Sequence, residues 1–215
     1  KYTLNKYQNK SVDIGGSSIY INTCDDSRES SSENLKEYYQ SIRSCQQCSL
    51  GFTRTNFVFG SGNPNADIVF VGEAPGEKED NQGIPFVGRA GKLLDKILSA
   101  IDLNREDVYI CNILKCRPPN NRDPLPVEVE KCEPFMKTQL EIIKPKLIIA
   151  LGRVAACTIL KTKESLKNLR NKTFIYEGID LLVTYHPAAL LRNPNFKRAS
   201  WDDFKYIRDN YLLSN

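Results

Sequence analysis

The sequence predicts an α/β fold, a three-layer αβα sandwich on a central four-stranded parallel sheet. Three observations carry that reading. The runs Ile68-Val69-Phe70-Val71, Val108-Tyr109-Ile110-Cys111, Leu147-Ile148-Ile149-Ala150-Leu151 and Leu181-Leu182-Val183-Thr184-Tyr185 are short and nearly continuous in apolar residues, as strands covered on both faces are. Stretches with helical spacing separate them, the pattern of βαβ crossovers. Finally, Glu73, Asn112, Gly152 and His186 each stand just past one of these runs. A parallel sheet brings all four to its carboxyl edge, where open α/β folds bind ligands.

Size and composition agree. The 215 residues, 40% hydrophobic and 26% charged, suffice for one well-buried domain and an appendage. Residues 1–44 hold six basic and six acidic side chains, so the net charge of +4 belongs to the remainder. That balance permits a polyanionic partner without demanding one. No apolar stretch approaches membrane-span length, and the amino end KYTLNKYQNKSVD lacks a signal peptide's hydrophobic core, so a cytoplasmic address with no membrane partner is expected. Seven cysteines in such a chain argue for ligation or burial rather than disulfides.

Taken in order, residues 1–31 show little periodicity and end in a polar tract. They are expected to form an extension or linker, with Ile19-Tyr20-Ile21 strand-like or docked, ahead of a domain spanning 32–215. Ser30 and Glu33 form a capping-box signature for a first helix running to about Arg43, with Leu35, Tyr38, Tyr39 and Ile42 on one face. The first apolar strand leads into Gly72-Glu73-Ala74-Pro75-Gly76, a tight turn, and then a loop bearing Pro85-Phe86 before a helix begins near Gly88. Phe174-Ile175-Tyr176, turned by Glu177-Gly178, adds a hairpin arm before the last strand. A closing helix is expected with Ser200 as N-cap and Trp201, Phe204, Ile207 and Tyr211 near helical spacing, the lone Trp in the core.

Several residues could carry chemistry. Cys45 and Cys48 form a C-x-x-C pair, with Cys116 and Cys132 as a second, wider pair. Four thiolates suit zinc or an iron–sulfur cluster, and spacing alone favours the commoner structural zinc. Cys24, Cys111 and Cys157 fit unconnected reduced cysteines, and burial accounts for Cys111 in a strand and Cys157 in a helix. Among Glu73, Glu77, Glu79 and Asp80, Glu77 and Lys78 fit a solvated helix start, whereas Glu73 ends a buried strand and can position a water or stabilise a cation. Phe86 is either core or a platform for a flat ring. Asn112 offers a donor and an acceptor to a base edge, or simply turns the chain. His186, the only histidine, falls where these groups converge. Leu190, Leu191 and Arg192 form either a wedge beside a cation that enters a duplex or an ordinary helix start.

Taken together, GEAPGEKED with PFVGRAG, then CNILKCRPPNNRDP, then TYHPAALLRNP, resemble the family-four uracil-DNA glycosylases, the iron–sulfur branch of their superfamily. The resemblance runs from about Cys45 to the end. It implies a [4Fe–4S] cluster on Cys45, Cys48, Cys116 and Cys132 in place of zinc, and the same αβα fold. It also implies a monomeric enzyme that flips deoxyuridine out of uracil-containing DNA and hydrolyses its N-glycosidic bond, without nicking the strand. Gly72 and Phe86 would line the base pocket, Phe86 stacking on uracil and Asn112 reading its edge. His186 would donate toward O2, and Glu73 would serve the sugar cation or the water, supported by Glu79. Leu190, Leu191 and Arg192 would contact DNA. Gly76 stands where family-one relatives carry a thymine-excluding tyrosine, so that task would pass to Glu79, and His186-Pro187-Ala188 lacks the serine of an HPS motif. The basic, His-containing insertion of the branch that forms a covalent DNA adduct is not found. The competing expectation is a non-catalytic iron–sulfur nucleic-acid-binding module, which would not need Glu73, Asn112 and His186 together.

Overall fold

The computed structural model describes residues 11–14, 17–20 and 26–213, with side chains from residue 30 onward. Cys24 and Ile21 therefore lie outside the described residues. A short antiparallel hairpin, β1 (Ser11–Ile14) and β2 (Ser17–Tyr20), precedes α1 (Asp26–Ile42). The main sheet then collects β3 (Ser61–Gly62), β4 (Ile68–Gly72), β5 (Tyr109–Asn112), β6 (Leu147–Leu151), β7 (Phe174–Tyr176) and β8 (Ile179–Thr184). Between them run α2 (Glu77–Gln82), α3 (Arg89–Ser99), α4 (Pro126–Ile143), α5 (Arg153–Ile159) and α6 (Leu166–Leu169); α7 (Pro187–Arg192) and α8 (Phe196–Ile207) follow the last strand.

The strand order is β3-β5-β4-β6-β8-β7. Its four inner strands are parallel, as the apolar runs predict, but the sheet has six strands rather than four. The two additions are antiparallel edges. β7 is the anticipated hairpin arm, closed by Glu177 and Gly178 at φ 50° and 81°. β3, two residues of Ser and Gly, has no apolar run to betray it. The chain leaves β4 toward β5 on one side and β6 lies on the other, so β4 and β6 flank the topological switch point.

Alternation along β4 divides the core into two layers. Val69 and Val71 face α1, α4, α5 and α6 through Leu35, Met136, Leu140, Ala156 and Leu169. Ile68 and Phe70 face α3 and α8 through Leu94, Leu98, Phe204 and Ile207. Fully burying a side chain of this kind stabilises the fold by about 1.5–3 kcal/mol.

Two helix starts differ from expectation. α1 begins at Asp26, so Ser30 lies inside the helix, accepting from Asn34 Nδ2 at 3.2 Å. The face carrying Leu35 docks on α4, and Ser31 Oγ reaches Ile142 O at 3.4 Å. α8 begins at Phe196, and that phase turns Ser200, Phe204 and Ile207 inward. Ser200 is therefore a buried packing residue rather than an N-cap, and Trp201 is exposed at 36% rather than in the core.

Candidate active site

Gly72, Asn112 and Phe86 lie together at the carboxyl edge of the sheet. Gly72 on β4 is in register with Asn112 on β5. A Cβ on Gly72 would run into Asn112 Oδ1 and stand 2.6 Å from Phe86 Cζ, so only glycine leaves room for both side chains. Asn112 is buried, and its Oδ1 has no hydrogen-bond partner. An acceptor left unpaired in a buried place costs about 1–3 kcal/mol, which makes it a waiting half of a hydrogen bond. Phe86, also buried, takes φ 54°. For a bulky residue that left-handed state costs about 1–3 kcal/mol, and such strain collects at functional sites.

His186 faces Phe86 from the end of β8, the ring centroids 5.4 Å apart and tilted by 31°. Its Nδ1 accepts from Ala188 N at 3.1 Å at the start of α7. The proton of the neutral ring therefore sits on Nε2. Burial first, and then the charge of Arg192, lower the His186 pKa to about 4, against the opposing pull of Glu79. The group is a neutral donor at physiological pH.

Glu73, one residue beyond β4, has its pKa raised by burial, then by Asp123, with Arg153 and Arg192 pulling the other way. Glu79, in the first turn of α2, is spoken for differently. Its Oε1 accepts from Val87 N at 2.9 Å and Gly88 N at 2.7 Å, holding the Phe86 loop. A side chain begun at Gly76 would meet Glu79 Oε2 at 2.8 Å. Glu77 and Lys78 are exposed, as a solvated helix start requires. Asp80 is buried and accepts from Thr55 N and Asn56 N, tying the segment after Cys48 to α2.

On α7 the structure divides the expected wedge. Leu191 and Arg192 are exposed, but Leu190 is only 1% exposed and belongs to the core. About 100° of rotation per residue puts Leu190 on the core side of α7 and Leu191 past the boundary of that face. Leu190→Ala is expected to lower the unfolding free energy by about 2–5 kcal/mol. Leu191→Ala should stay within about 0.5 kcal/mol of the parent, both read by denaturant titration.

Cys45, Cys48, Cys116 and Cys132 line one small cavity with Phe57 and Phe135. Three donors point at these sulfurs: Arg54 Nη1 to Cys116 at 3.4 Å, Lys115 N to Cys132 at 3.2 Å and Gln47 N to Cys45 at 3.5 Å. Burial raises the Cys116 thiol and pushes Cys132 up to about 12. Among the described residues, no group of three or more His, Cys, Asp or Glu side chains is arranged to hold a metal ion. Cys111 is buried in β5, and Cys157 is partly buried in α5.

Two further groups carry no motif signal. Lys115 is fully buried, its Nζ donating to Asn112 O at 2.9 Å and to Gln139 Oε1 at 2.5 Å. Gln139 in turn donates to Phe59 O and Tyr109 Oη, each at 3.0 Å. A lysine inside the apolar run Ile113-Leu114-Lys115-Cys116 was the available clue. In the buried pair Arg170–Asp203, Asp203 Oδ2 accepts from the Thr184 hydroxyl at 2.6 Å, and Arg170 covers the Tyr185 ring. Nothing in the local sequence marks that pair.

Residues 59–205 match the family model described as the uracil DNA glycosylase superfamily. A type-4 uracil-DNA glycosylase of Archaeoglobus fulgidus is 48% identical over 183 residues, covering 81% of this chain and 92% of that protein. That of Sulfurisphaera tokodaii is 45% identical over 82% of this chain and 84% of its own. A third, of Thermotoga maritima, is 48% identical over 71% of this chain and 80% of its own.

Proposed function

Because the chain belongs to the uracil DNA glycosylase superfamily and aligns along most of its length with type-4 enzymes, we infer that it excises uracil from DNA. It hydrolyses the N-glycosidic bond and leaves free uracil and an abasic site. The observation that carries this best is the unpaired Asn112 Oδ1, buried beside the Phe86 ring.

The enzyme turns the nucleotide out of the stack into the pocket. Phe86 stacks on the flat base. Asn112 Oδ1 accepts from N3–H, and its amide NH₂ donates to O4. Cytosine reverses both, with an acceptor at N3 and a donor at N4. His186 Nε2–H donates toward O2, where negative charge grows as the bond breaks, and a neutral imidazole with its Nδ1 already satisfied is preorganised to do so. Glu73, as the carboxylate, stabilises the sugar cation or orients the attacking water. Glu79 supports by fixing the stacking loop, and its Oε2 beside Gly76 replaces the missing tyrosine in rejecting a C5 methyl group. Leu191 and Arg192 fill the vacated stack and hold phosphate, with Leu190 as their support from the core. Lys115, the lysine nearest Asn112 in sequence, has its Nζ engaged within the core, and no step uses a Schiff base, so the strand is not nicked.

Cys45, Cys48, Cys116 and Cys132 would hold a [4Fe–4S] cluster; the converging thiols and the N–H donors aimed at their sulfurs fit that group. When bound, it supplies four metal–thiolate anchors that brace the segments around Asn112 and Asp80. Cys116→Ser is expected to abolish the visible absorption of the purified protein, read by spectrophotometry. A monomeric, cytoplasmic enzyme acting on uracil-containing DNA completes the reading; among the described residues no helix is long and apolar enough to cross a membrane. The presence of Glu73, Asn112 and His186 together favours catalysis over mere binding, since a binding module would not need all three.

The pH dependence tests the Glu73 role. Its raised pKa places the acid limb of kcat/KM above the ordinary glutamate value of 4.5. Activity is present above that limb and lost as pH falls through it. Glu73→Gln is expected to lower the rate and to move the remaining limb down to the His186 step at about 4. For base choice, oligonucleotides carrying uracil, cytosine or thymine at one position should differ, with release from the first alone. Equal release from all three would overturn the Asn112 and Glu79 roles.

A further inference from the structure

The Phe86 loop is gripped on both sides of its strained residue. Glu79 takes the amides of Val87 and Gly88. On the other side Arg105, from the turn between α3 and β5, donates Nη2 to Pro85 O at 2.6 Å and Nη1 to Phe86 O at 2.9 Å. Asp95 on α3 fixes the guanidinium through a 2.9 Å ion pair. Helix α3 closes the grip, since a Cβ on Gly91 would collide with the Phe86 carbonyl. Two consecutive carbonyls pointing to one guanidinium and two consecutive amides pointing to one carboxylate describe a peptide segment that cannot rotate about Phe86 alone.

We propose that Arg105 is a positioning residue for base stacking, a role that rests on the uracil excision inferred for this site. The guanidinium fork holds two carbonyls in one plane, and so holds the backbone in the left-handed state that presents the ring opposite His186. Without that fork the peptide relaxes, the ring leaves its place opposite His186, and Asn112 and His186 are left to bind a base with no platform. Arg105 touches neither base nor sugar. It acts through Phe86.

The test is a double-mutant cycle with three readouts. Arg105→Ala is expected to lower single-turnover uracil release about 30-fold, within the range seen when catalytic geometry is misplaced. Arg105→Lys, which can reach one carbonyl at a time, should recover part of it. In a Phe86→Ala background, Arg105→Ala should cost less than about 3-fold, because the ring it positions is gone. Asp95→Asn, which loosens the fork without removing it, should cost a few-fold in the wild-type background. Binding to abasic-site DNA, which has no base to stack, should be unchanged in Arg105→Ala. Hydrogen exchange at the Val87 and Gly88 amides should quicken in that variant, and this readout does not depend on uracil release. An equal loss in both backgrounds, or unaltered amide exchange, would overturn the role. Failure of the parent protein to release uracil, with the exchange result intact, would sink the excision reading and leave the clamp.

Discussion

Asn112→Ala is expected to lose roughly 10³-fold in kcat/KM for uracil release while gaining stability as a free protein. The loss follows from removing two hydrogen bonds to one edge of the base, which leaves its buried donor and acceptor unpaired at about 1–3 kcal/mol each. The gain follows from the same atom seen without substrate. Asn112 Oδ1 is buried and unpaired, so the free protein carries a penalty of about 1–3 kcal/mol that alanine removes. Opposite signs for activity and stability are the mark of a group kept for a ligand rather than for the fold. Asn112→Asp should lose as much activity, because a carboxylate presents an acceptor to O4. Steady-state kinetics on a single-uracil oligonucleotide, paired with urea unfolding, reads both halves. A variant that is both inactive and less stable would make Asn112 a structural residue.

His186→Ala is expected to cut kcat about 10²–10³-fold with little change in KM. Charge develops at O2 only as the glycosidic bond breaks, so a donor placed there acts on the transition state more than on the bound substrate. The protonation state carries a second prediction. Burial and Arg192 hold the ring neutral, with a pKa of about 4, and Ala188 N occupies Nδ1. Wild-type turnover should therefore show no step between pH 6 and 7, the range of an ordinary histidine. A limb there that vanishes in His186→Asn would mean that the imidazolium, not the neutral ring, is the donor. Single-turnover rates from pH 3.5 to 8 distinguish the two cases.

Much of this site was legible because the sheet converts distant sequence positions into neighbours. Glu73, Asn112 and His186 are each named by the end of an apolar run, and β4, β5 and β8 deliver them to one edge. The four cysteines were legible by count and spacing, and they line one cavity. What escaped depends on tertiary contact. The phase of α7 buries Leu190 against the core while exposing Leu191, and a leucine pair alone cannot reveal which of the two faces outward. Good capping residues at Ser30 and Ser200 mark helix starts, yet α1 and α8 each begin about a turn upstream of them, and the phase of α8 buries Ser200. Arg105 is an ordinary charged residue in a polar turn until its guanidinium is seen against two loop carbonyls. β3 has too few residues to form a pattern.

The most direct measurement is product identification from a duplex carrying one labelled deoxyuridine. Wild-type protein is expected to yield free uracil and an intact strand that breaks only after alkali, with Asn112→Ala and His186→Ala yielding neither at comparable times. No free uracil from the wild type, or a strand nicked without alkali, would contradict monofunctional base excision by this site.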